Sequence, residues 1–147
     1  MKNIITLKIL YAICIIRFIL TFLYFAHIIK SIYVICLMIP SIPCCLAFAW
    51  YEEWAVVCMV ALMFILVLWI SIIVVSLIGI KKHNIRRLSA LLICVATVFD
   101  LVLSTFIATI SVKISCIFIS VLLLIYSICV YKGLTEKTNN TMDCHLC

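Results

Sequence analysis

Glycine and charge are what this sequence has least of. Two glycines stand in 147 residues, Gly79 and Gly133, and charged residues make up 11% of the chain. An ordinary soluble domain is about 25% charged and about 45–50% apolar, whereas 69% of this chain is apolar. A soluble domain of this length has too small an interior to hide that surplus. The shortage of charge therefore excludes a soluble globular enzyme, a disordered chain and a free nucleic-acid binder. The shortage of glycine excludes a GxxxG helix-pairing motif and the glycine-rich loops that cradle phosphate. Close helix contacts then fall to Ala, Ser or Cys, as in the pair Ser104 and Ala108. No HExxH or GxSxG motif is present, and Asp100 is the one carboxylate embedded in an apolar run. An intramembrane protease built on paired aspartates is excluded with it.

What is present is a series of five apolar segments, 9–29, 31–50, 54–80, 88–110 and 114–131. About 20 helical residues cross a hydrocarbon core of about 30 Å. The runs lack the polar alternation of barrel strands. The expected fold is all-α: one polytopic membrane bundle over 1–132, followed by a short polar tail over 133–147. The first apolar run follows Lys2 and Lys8 but meets no small-residue cleavage site, so it reads as a retained helix and not a signal peptide.

Segment 31–50 is the exception among the five. It holds eight Leu, Ile, Val or Phe residues where the others hold 11 to 17, and it carries Pro40 and Pro43. Each such apolar residue favours insertion by about 0.3–0.6 kcal/mol, while proline removes a backbone donor and breaks or kinks a helix. An uncharged run of this length predicts five transmembrane helices; a re-entrant 31–50 reduces the number to four. Both arrangements place the basic cluster 81–87 and the C-terminal tail on the cytoplasmic side. Both place Tyr51-Glu52-Glu53-Trp54 outside, with Trp50, Tyr51 and Trp54 suited to the interface. The plasma membrane is the default location.

Eleven Lys and Arg against five Asp and Glu give a charge of +6. The basic residues lie between apolar segments, so they set topology and do not point to nucleic acid. Two ionisable residues lie inside the segments, Arg17 and Asp100. A charge at mid-bilayer costs about 2.5–3.5 kcal/mol, an amount that the apolar residues around each one offset but that keeps both away from lipid. At 100° per residue, Cys14, Arg17, Thr21 and Tyr24 form one polar stripe, and Thr97, Asp100, Ser104 and Ser111 form another. An Arg17–Asp100 pair joining the two helices, supported by Thr21, Tyr24, Thr97 and Ser104, is the expected intramembrane site.

Other polar residues carry less. His27, near the end of the first segment, reads as a satisfied interfacial side chain. Glu52 and Glu53 lie in a solvated turn with no dry cleft for acid–base work. Eight of the ten cysteines lie in apolar sequence, where cysteine behaves as a small hydrophobe. Cys144, His145 and Cys147 have metal-ligand spacing, but a structural zinc site takes four ligands and no second polar Cys/His cluster accompanies them. No catalytic residue, metal or cofactor is expected. The expected function is non-enzymatic, a structural or accessory subunit of a membrane assembly. The alternative is a small oligomeric transporter or channel using Arg17 and Asp100. The expected partners are the lipid bilayer and other membrane proteins or further copies of the chain.

Overall fold

The computed structural model describes residues 2–29, 31–82 and 85–143. Among them the chain forms six helices and no strand: α1 (Lys2–Phe25), α2 (Ile32–Leu37), α3 (Ser41–Phe48), α4 (Ala55–Lys81), α5 (Ile85–Ser104) and α6 (Ile110–Asp143). Four stretches are long and apolar enough to cross a membrane: Ile4–Phe25, Ala55–Lys81, Ile85–Ser104 and Ile110–Thr135. At about 1.5 Å per residue the shortest, 20 residues, spans about 30 Å. The protein is a helical membrane bundle.

Each helix boundary has a local cause. α1 ends in a C-terminal cap of the Schellman type. His27 N–H donates to Tyr24 O at 3.1 Å and Ile28 N–H to Leu23 O at 3.1 Å, and His27 takes a positive φ of 57°. Glycine usually holds that position because it has no Cβ to clash.

The uninterrupted helix expected over 31–50 is replaced by α2 and α3, six and eight residues long. Met38 is extended, with ψ of −177°, and Ile39 is biased away from helix by the proline after it. Pro43 causes no second break, because it sits in the first turn of α3, where backbone N–H groups lack intrahelical acceptors anyway. α5 stops at Ser104, short of the expected 110, in a turn where Thr105, Phe106 and Ile107 donate to carbonyls three residues back. Ala108 thus lies beyond the helix, and Ser104-x-x-x-Ala108 is not a helix-pairing face. α6 runs past the apolar segment 114–131 to Asp143, taking in much of the stretch expected as a polar tail.

α5 packs against both α4 and α6, and α1 packs against the same two helices. α1 and α5 therefore face each other across the bundle. α3 sits against α4 and α5, and α2 against α1 and α6, so the broken segment closes one end. The interior carries Leu10, Ile39, Ile65, Trp69, Ile72 and Ile93, all essentially inaccessible. Apart from Ile93, the buried face of α5 is small or polar (Ser89, Ala90, Ala96, Thr97, Asp100 and Ser104), which lets neighbouring backbones approach closely. At the opposite end the Tyr11 hydroxyl bonds Ser89 Oγ and passes over Gly79, where a Cβ would lie 2.9 Å from it. Val56, Val60, Met63 and Val67 on the outward face of α4 are exposed, as surfaces in contact with lipid are.

Candidate functional site

Arg17 projects from α1 into the interior and is 4% exposed, while Asp100 on α5 is fully buried. Arg17 Nη2 lies 3.3 Å from Asp100 Oδ2. The Phe99 ring meets that of Phe64 at 5.7 Å. Asp100 is thus level with a point about nine residues into α4, about 14 Å from that helix's start.

The pair is built around the break between α2 and α3. A break inside hydrocarbon leaves backbone groups without partners, which is tolerated only where protein satisfies them. Arg17 Nη2 donates to Met38 O at 3.1 Å. Ile39 N–H donates to Thr21 Oγ1 at 3.0 Å, and the Thr21 hydroxyl itself donates to Arg17 O at 2.9 Å. From the first turn of α3, Ser41 Oγ donates to Asp100 Oδ1 at 2.6 Å. Arg17 Cζ stands 5.8 Å from the centre of the Trp69 ring, within cation–π range. One cation, one anion and two hydroxyls thereby hold α1, α5 and the break together, with Trp69 of α4 beneath the guanidinium.

The polar satisfaction is incomplete. Arg17 Nε and Nη1 and Asp100 Oδ2 make no hydrogen bond among the described residues. Asp100 Oδ2 is close enough to Arg17 to form an ion pair.

The two polar stripes contribute unevenly. Thr21 joins the site directly. Thr97 is buried but donates to the carbonyls of Ile93 at 3.0 Å and Cys94 at 2.9 Å on its own helix. Ser104 does the same with Asp100 O and with Leu101 O, the latter at 3.0 Å. Tyr24 is half-buried and packs edge-on against Phe25 at 6.0 Å, away from the pair. Ser111 belongs to α6 and is exposed. Met38, Ile39, Ser41 and Trp69 were not anticipated. Pro40 was their one signal, since a proline in an apolar run leaves backbone groups that a neighbour must satisfy.

Glu52 and Glu53 lie in the exposed turn before α4. Cys144, His145 and Cys147, and His83 and Asn84 of the basic cluster, lie outside the described residues. Among the described residues, no group of three His, Cys, Asp or Glu side chains is placed to hold a metal ion. No protein-family model matches the chain, and no curated protein or solved structure shows significant similarity to it.

Proposed function

We propose that this chain is a non-enzymatic structural or accessory subunit of a membrane assembly. In this reading it crosses the bilayer four times, with 31–50 dipping in and returning to the outer side. The observation that supports it is where the embedded charges direct their bonds. Arg17 donates to Met38 O and Asp100 accepts from Ser41, so they secure the chain's own break.

Four crossings put Lys2, Lys8, Lys81, Lys82, Arg86, Arg87, Lys132 and Lys137 inside, with Lys30 and Lys113 outside, in keeping with the positive-inside rule. The plasma membrane is the proposed location, with 81–87 and the C-terminal tail in the cytoplasm. Impermeant thiol labelling of cysteines introduced at positions 2, 30, 52 and 84, without accessible native cysteines, tests this topology. Four spans place 30 and 52 together and opposite 2 and 84. Five spans place 2 and 52 together and opposite 30 and 84.

The functional reading is tested by gentle solubilisation of native membranes and by reconstitution. A subunit co-purifies with a defined partner in fixed stoichiometry and supports no flux alone in liposomes. The second reading, a small oligomeric transporter or channel, draws on the three atoms Arg17 Nε, Arg17 Nη1 and Asp100 Oδ2, which make no hydrogen bond among the described residues. It requires ion or solute flux in liposomes that Asp100→Asn abolishes, and that result overturns the first reading.

A further inference from the structure

The outer end of the bundle holds a cavity of about 960 Å³, at the upper end of the range usual for small-molecule sites. It exists because α3, at eight residues, is too short to fill the space beside the much longer α4. Its walls are apolar, with Phe48 of α3, Ala61 of α4 and Leu103 of α5 among them, and its rim carries Tyr51, Glu52, Glu53 and Trp54. Among the described residues, no lysine or arginine lines it.

We propose that this groove binds a lipophilic monocation drawn from the membrane. The walls favour an apolar body, and the rim favours positive charge through two carboxylates beside two aromatic side chains. An anionic amphiphile meets repulsion there. A zwitterionic phospholipid would bring its phosphate beside Glu52 and Glu53, with no basic side chain among the described lining residues to receive it. The groove is separate from the Arg17–Asp100 site, and the inference stands independently of the subunit reading.

The test uses the full chain in phosphatidylcholine nanodiscs and equilibrium dialysis of tetraphenylphosphonium, with empty nanodiscs as the reference. Tetraphenylborate, of the same shape and opposite charge, is the matched control. Saturable binding of one tetraphenylphosphonium per chain is expected, with no excess binding of tetraphenylborate. The double variant Glu52→Gln/Glu53→Gln lies in an exposed turn and should keep its fold while affinity falls about tenfold. Val57→Trp, which narrows the groove and keeps both carboxylates, should also weaken binding. Circular dichroism and gel filtration of both variants accompany the measurement. The proposal is overturned by tetraphenylphosphonium uptake equal to that of empty nanodiscs, or by equal binding of the two ions. It is also overturned if binding responds to the glutamates but not to Val57→Trp, which is attraction to surface charge alone.

Discussion

Arg17 reaches Asp100 but does not satisfy it. The guanidinium stands 3.3 Å from Oδ2, while that oxygen and two guanidinium nitrogens make no hydrogen bond among the described residues. Breaking a buried pair by removing one partner costs about 3–5 kcal/mol, whereas replacing both with apolar residues is often neutral or stabilising. Arg17→Leu and Asp100→Leu are therefore each expected to lower thermal stability in detergent strongly. The double variant should recover part of that loss. The exchange Arg17→Asp with Asp100→Arg should likewise accumulate better than either single change. If neither double variant improves on its singles, the two charges do not act as a pair.

Ser41 and Ser120 are both buried serines with opposite expected responses to truncation. Ser41→Ala removes the donor to Asp100 Oδ1 and leaves a buried charged group short of a bond, at a cost of about 1–3 kcal/mol. Ser120 Oγ has no hydrogen-bond partner among the described residues, so Ser120→Ala should be neutral or slightly stabilising. Melting of the two variants, followed with a thiol-reactive dye or by aggregation, separates them.

Gly79 and Tyr11 form a testable steric pair. A Cβ at Gly79 meets the Tyr11 hydroxyl oxygen at 2.9 Å, while its next contacts are ordinary at 3.7 Å. Gly79→Ala should destabilise the native protein. In a Tyr11→Phe background the obstructing oxygen is gone, and the same change should stabilise by up to about 1 kcal/mol through helix propensity. Ser89 tolerates the loss of Tyr11 because its hydroxyl also donates to Arg86 O at 2.8 Å. A double-mutant cycle reads the reversal of sign directly.

His27 offers a gain. A non-glycine residue in the left-handed region costs about 1–2 kcal/mol, and His27 sits at φ 57°. His27→Gly should raise the melting temperature and leave the cap bonds to Leu23 and Tyr24 in place. An unchanged or lower melting temperature shows that the imidazole contributes more than its backbone conformation costs.

Arg86 separates charge from shape. Its Nε donates to Gly79 O at 3.0 Å and its Nη2 to Ile80 O at 3.2 Å, capping the last carbonyls of α4. Arg86→Lys keeps the positive charge that topology reads but loses the planar fork. Orientation in the membrane should stay the same while stability falls by about 1 kcal/mol. Protease protection and thermal melting measure the two effects separately.

The embedded charges were legible in the sequence because ionisation in hydrocarbon is expensive enough to stand out against any apolar background. Their immediate partners were not. Hydropathy marks 31–50 as marginal without saying that Met38 O and Ile39 N are the groups left open. The helical stripes placed Thr97 and Ser104 on the correct buried face of α5. A threonine or serine hydroxyl, however, reaches its own helix's carbonyls as easily as a neighbour, and both residues turn inward in that way. Helix ends were misplaced for a related reason. An apolar run records where lipid ends and not where the backbone stops coiling, so α5 ends early at Ser104 and α6 continues to Asp143.

The placement of the ion pair on the first and fifth helices also sets an order of events during biosynthesis. Arg17 is added to the chain well before Asp100, by roughly 4–17 s at a translation rate of about 5–20 residues per second. Met38 and Trp69 are added within that interval, but until Asp100 follows the guanidinium lacks its carboxylate, and the apolar residues of α1 must offset most of its transfer from water. A nascent chain that stalls before α5 therefore carries a cation with no counter-charge to lipid or to the insertion machinery. The finished molecule withdraws that mark, which gives the cell a chemical difference between an incomplete copy and a mature one.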